Sequence, residues 1–198
     1  MSDNSAVSGV LNLVLCGVTG YGFYAMGPSE HPYAFSACVI GFCHGLFGLV
    51  DSFSGNETSK SAKETSNSIL EIVPLPLVNI ELFFGGDANN IALGHGLFIV
   101  PMAICILVGL IQGKGDGEGD EVIETLKLLT ILGNITSLSY LAVNEGSWLM
   151  GAMAFLSFMT KYGSEYLETQ IEGSGDPVKY VSWSVFYFLT TMVVGGER

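Results

Sequence analysis

Apolar stretches of helical length recur along the whole chain, and nearly every charge falls in the gaps between them. A hydrocarbon core of roughly 30 Å takes about 20 residues of α-helix at about 1.5 Å each. The stretch Val7 to Gly27 meets that length and holds no Asp, Glu, Lys, Arg or His. Six further spans are predicted: Tyr33 to Val50, Ile69 to Phe84, Ile91 to Ile111, Val122 to Val143, Trp148 to Thr160 with some extension toward Tyr166, and Tyr180 to Val194. The third is the weakest, because Glu71, Pro74, Pro76 and Glu81 interrupt it; the fourth is expected to bend at Pro101.

The connections alternate in length. Short turns rich in Pro, Asn and Gly follow spans one, three and five (28–32, 85–90, 144–147), whereas longer polar segments follow spans two, four and six (51–68, 112–121, 161–177). Pro, Asn and Gly end helices at little cost, so short turns join antiparallel neighbours. The pattern predicts an all-α, polytopic membrane bundle of about seven transmembrane helices, arranged as three helical hairpins and a final helix. No composition break divides the chain, so residues 1–198 read as one domain.

Lysine placement tests the weak third span. With seven crossings, Lys60, Lys63, Lys114, Lys127, Lys161 and Lys179 fall on one side and only Arg198 on the other. If the third stretch failed to cross, Lys60, Lys63 and Arg198 would face the other four. Positive residues near span ends mark the cytoplasmic side. The six-to-one split therefore favours an integral membrane protein with a cytoplasmic N-terminus and cytoplasmic long loops. On that orientation neither Asn56-Glu57-Thr58 nor Asn134-Ile135-Thr136 is glycosylated, which makes Asn56 a topology reporter. The N-terminus has no basic run of the kind that opens a signal peptide and no Gly after Met1 for myristoylation, so the first span is expected to act as its own uncleaved signal.

Charge narrows the partners. Nineteen acidic residues against seven basic give a net charge of −12, which argues against nucleic acid, and no run of Lys/Arg attracts anionic lipid. Membrane lipid is the expected surrounding, with a homo-oligomer or another membrane protein as the possible partner. The four cysteines, Cys16, Cys38, Cys43 and Cys105, lie inside apolar stretches without metal-type spacing and read as small packing residues.

Ionisable and polar residues inside spans are the candidates for chemistry. His44 and His95 lie in matching strings, Cys43-His44-Gly45-Leu46-Phe47 and Gly94-His95-Gly96-Leu97-Phe98. Together they are candidate haem ligands, but their depths in parallel spans differ by roughly 10 Å at 1.5 Å per residue, so each is expected to bond a neighbouring helix or to face interfacial water. The fifth span carries Lys127, Thr130, Asn134 and Ser137 at intervals of three and four. Such a line faces a partner helix or, with Glu124, a wet path. Glu71 and Glu81 flank the two prolines, where a broken helix would free backbone carbonyls, as transporters use at binding sites. Gly41-x-x-x-Gly45 lets helix backbones approach closely and is a packing face. The acidic run 113–121 begins like a calcium loop but has Glu121 where the loop needs glycine and Lys127 where it needs glutamate.

No hydrolase, zinc-protease, phosphate-loop or dinucleotide motif is present, and arginine is absent before Arg198. The expectation is a non-catalytic membrane protein that needs no cofactor and acts in packing, assembly or interaction. A channel or carrier using Glu71, Glu81, Glu124, Lys127, Thr130, Asn134 and Ser137 is the alternative, and a bis-histidine haem protein the second alternative.

Overall fold

A computed structural model describes residues 3–84, Gly94 and 118–196. Every regular element among these residues is helical: α1 (Asp3–Ala25), α2 (Pro32–Ser54), α3 (Glu57–Ile72), α4 (Pro74–Phe84), α5 (Glu118–Asn144), α6 (Trp148–Phe158), a π-helical turn (Met159–Gly163), α7 (Ser164–Gln170) and α8 (Gly175–Gly195). Four segments, Ser5–Ala25, Pro32–Ser54, Glu57–Phe84 and Glu124–Asn144, are long and apolar enough to cross a membrane. The fourth predicted span, 91–111, with His95, Pro101 and Cys105, lies outside the described residues except for Gly94, as do Lys114 and Arg198.

The third span departs most from the sequence expectation. Residues 57–68, expected within the polar connection 51–68, instead form with 69–72 one amphipathic helix. Asn56 starts it, with its side-chain oxygen accepting the Ser59 N–H at 2.7 Å. Ser59, Ser66 and Leu70 make its buried face. Nor do the prolines break the rod. Pro74 opens α4, where its missing N–H costs least, and Val73 keeps helical dihedrals (φ −88°, ψ −40°). α3 and α4 therefore form one nearly continuous 28-residue segment.

Contacts divide the bundle into two ends. At one, the Tyr33 and Phe84 rings meet at 5.9 Å and Ile80, Phe83 and Leu141 share a small core. At the other, Ser8 meets Ser52, Asp51 pairs with Lys63, and Glu71 meets Lys161 and Lys179. Helix directions put Lys60, Lys63, Lys127, Lys161 and Lys179 all in this second, charged half.

α8 is the central element. Trp183, Phe186 and Tyr187 are fully or almost fully buried, and the helix packs against α1, α6 and the π-turn. α1 and α5 carry exposed rows (Val10, Leu13, Tyr24; Leu129, Tyr140, Val143), and α8 has its own outward stripe of Val181, Val185, Phe188 and Met192. Where lipid surrounds a bundle, apolar burial drives helices together weakly, and close packing and hydrogen bonds take over. Both are present. A methyl group at Gly41 would come within 2.8 Å of the Tyr187 ring and 2.9 Å of Thr19 Cγ2, and one at Gly45 within 2.6 Å of Cys16 Sγ. The Gly41–Gly45 face is thus filled inside the chain, by α1 and α8. Four buried hydroxyls are satisfied locally: Thr19, Ser157, Thr190 and Thr191 donate to the carbonyls four residues before them.

Candidate functional site: a cleft at the charged end

Glu71 on α3 is the hub of the charged end. Its Oε1 accepts from Lys179 Nζ of α8 at 2.7 Å and from Asn67 Nδ2 at 3.1 Å. Its Oε2 lies 3.7 Å from Lys161 Nζ in the π-turn. Lys179 also donates to Asn67 Oδ1 at 2.7 Å, and Lys161 pairs with Glu165 at 2.7 Å. One half-buried carboxylate is therefore flanked by two ammonium groups from two other elements.

These groups open into a cleft of about 540 Å³, within the size range of small-molecule sites. Val7 and Leu11 of α1 line one wall, and Thr160, Ser164, Glu168 and Asp176 contribute to the rest. The π-turn matters here, because an extra residue in a helix shifts the register of the turns after it, a device common at functional sites. It brings Thr160 and Lys161 to the same cleft as Ser164, Glu165 and Glu168, one and two turns on. Glu168 accepts the N–H groups of Gly173 (2.9 Å) and Gly175 (2.6 Å). Those two bonds, Gly173 first, hold its carboxyl below the ordinary carboxylate range and tether the 171–174 turn that leads into α8.

Beneath the cleft lies His44, almost fully buried on α2. Its Nδ1 is 2.8 Å from Ser66 Oγ and its Nε2 is 3.0 Å from the Tyr180 hydroxyl. Ser66 Oγ donates to the Lys63 carbonyl at 2.9 Å, so it accepts from His44. That fixes the chain of donors: Tyr180 O–H to Nε2, Nδ1–H to Ser66, Ser66 O–H to the backbone. A neutral histidine satisfies every step and ties α2 to α3 and α8. Neither ring nitrogen is left for a haem iron, and the pairing with His95 falls outside the described residues.

Glu81 serves the opposite end. It accepts the backbone N–H groups of Tyr33 at 2.9 Å and Ala34 at 3.1 Å, and His31 Nδ1 lies 3.3 Å away. Those amides belong to the first turn of α2, which has no side-chain cap of its own. Glu81 is thus a cap supplied by another helix, matched to the positive end of the helix dipole.

Of the fifth-span line, Thr130 and Asn134 are buried, Lys127 and Ser137 half-buried. Asn79 of α4 donates to the carbonyl of Asn134 at 2.9 Å and to its side-chain oxygen at 3.0 Å, and Asn134 donates to the Thr130 carbonyl at 2.8 Å. Lys127 pairs with Glu124 at 2.6 Å on the helix surface. The expected transport residues are therefore dispersed: Glu71 in the cleft, Asn134 and Thr130 in an interhelical bond, Glu81 in a cap.

Sequence reasoning missed Lys161 and Lys179 as site residues, Asn67 as their bridge, Ser66 and Tyr180 as partners of His44, and Asn79 as the partner of Asn134. A signal for the lysines existed. A carboxylate within an apolar stretch needs a cation at its own depth, and Lys161 and Lys179 occupy the same end of neighbouring spans.

The chain belongs to the family DUF4791, a domain of unknown function, which matches residues 28–194. No curated protein and no solved structure matches it. The matched region takes in α2 through most of α8, hence Glu71, Lys161, Lys179, His44 and Glu81.

Proposed function

We propose that this chain is a seven-span integral membrane protein, built as three helical hairpins and a final helix, that works by contact and carries out no chemistry of its own. The observation that carries the reading is the division of its surface. The outward rows of α1 and α5 are apolar, while the lysines of the described residues lie in one half. Phe84 and Glu118 belong to opposite ends of the bundle, which supports a further crossing between them. By the positive-inside rule the charged half is cytoplasmic. Contact with itself or a larger membrane partner uses the outward rows, because the Gly41–Gly45 face is already filled.

Native mass spectrometry after gentle extraction tests this. A multiple of the chain mass, or a second polypeptide, is expected; a bare monomer at every detergent concentration overturns it. Gly41→Leu is expected to misfold the subunit itself, since the larger side chain meets Tyr187 and Thr19.

A small-solute carrier is the second reading, favoured by the open cleft around Glu71. It requires Glu71→Gln to abolish flux across reconstituted vesicles while leaving the assembly mass unchanged.

A further inference from the structure

The cleft is dipolar. Its floor holds Glu71, Lys161 and Lys179, whose side chains are 16%, 27% and 14% exposed; with Lys161 released from Glu165, two cations against one anion leave it positive. Its rim holds Glu165, Glu168 and Asp176, all exposed, and is negative. The same step recurs on two elements: Glu165 follows Lys161 by one helical turn, and Asp176 precedes Lys179 by one turn. In both cases the acid's backbone position lies about 5 Å further out than the lysine's, while Lys161 Nζ itself reaches Glu165 Oε1 at 2.7 Å. Two floor ammonium groups suit an anion with several acceptor oxygens, and the rim suits a cation about one turn above it. A two-carbon bridge between phosphate and ammonium covers that span. Beside the polar groups run Val7 and Leu11, and Val7 and Val10 continue the wall onto the exposed face of α1.

We propose that this cleft binds a phosphate–ammonium zwitterion, phosphate toward Lys161 and Lys179 and ammonium toward Glu165 and Asp176, with any acyl chains leaving along α1. The lipid form of the ligand rests on the membrane reading above. The Lys161–Glu165 pair yields to it readily, because an ion pair with one exposed partner contributes little. Glu168 stays with the Gly173 and Gly175 amides and adds charge to the rim without moving.

The test is native mass spectrometry of the full chain in nanodiscs made of equal amounts of phosphatidylethanolamine and phosphatidylglycerol, the second having phosphate without ammonium. Retention of phosphatidylethanolamine over phosphatidylglycerol by roughly tenfold is expected, the scale of one recovered charge pair in a partly buried site. Asp176→Asn, at the exposed rim, should bring the two lipids close to parity, and Lys161→Gln should weaken both. Equal retention by the wild type, or an unchanged preference in Asp176→Asn, overturns the proposal. Free phosphoethanolamine separates the sources: displacement of the lipid at millimolar concentration points to a soluble ligand, and persistence of the lipid to a headgroup site. Release of the chain from membranes by alkaline carbonate would instead remove the membrane reading. Parity of the two lipids on a bilayer-retained protein removes the zwitterion alone.

Discussion

Glu71 and Glu81 stand on one helical rod, roughly 15 Å apart along its axis, and in sequence they look alike: each an acid in an apolar stretch beside a proline pair. Their surroundings assign them different work. Glu81 is met by the His31 ring and by backbone N–H groups of α2, and those two amides cannot leave without unwinding a helix turn. Glu71 is met by side chains of α8 and the π-turn at the floor of an open cleft, donors on flexible stems that can exchange. A buried carboxylate is a structural cap when the main chain holds it. It becomes available for binding when mobile cations hold it and solvent reaches it.

That contrast can be broken by mutation. The largest effect is expected for Glu71→Ala, which leaves Lys179 and Lys161 facing each other without their shared anion. Removing one partner of a buried ion pair costs about 3 kcal/mol, and the loss should appear as a lowered melting temperature in mild detergent, together with weakened binding in the cleft. Glu81→Ala should cost about 2 kcal/mol by stranding two amides and a helix dipole, with ligand retention in the cleft unchanged. If Glu81→Ala alters retention as strongly as Glu71→Ala does, the two ends are coupled and the contrast fails. Asn79→Leu should cost about 1 kcal/mol, the scale of interhelical hydrogen bonds in membranes, again visible by melting.

The smallest effect concerns Glu168. Its carboxyl is held below its ordinary range when folded, so its stabilisation is present in full above the ordinary value near pH 4.3 and is lost as pH falls through the folded value. Protection of the Gly173 and Gly175 amides, measured against their intrinsic exchange rates, should therefore fall on acidification below the ordinary carboxylate range. Glu168→Gln should weaken that protection at neutral pH and abolish its dependence on acid.

Periodicity and charge placement made much of the architecture legible. Helices over the described predicted spans, the short joints at 26–31 and 145–147, the grouping of lysines and the inward line of Thr130 and Asn134 all arise from local pattern. The polar helix α3 did not, because its buried face is built from Ser59 and Ser66 as well as Leu70; serine carries no hydrophobic signal, and the Asn56 cap was its only mark. Nor did the site. Tyr180 is 136 residues from His44 and Lys179 is 108 from Glu71, so these partners meet only once α8 has entered the middle of the bundle. The centrality of α8 was itself hidden: Trp183, Phe186 and Tyr187 would serve equally well against lipid, and only packing distinguishes the two.

The most direct measurement is the accessibility of the two ends across a sealed membrane. With the native cysteines replaced by serine or alanine, Lys60→Cys reports on the charged end and Glu145→Cys on the other, both positions being exposed. An impermeant maleimide added from the cytosolic side should label Lys60→Cys and leave Glu145→Cys protected until detergent opens the bilayer. Labelling of both in sealed membranes, or of Glu145→Cys alone, would contradict the account.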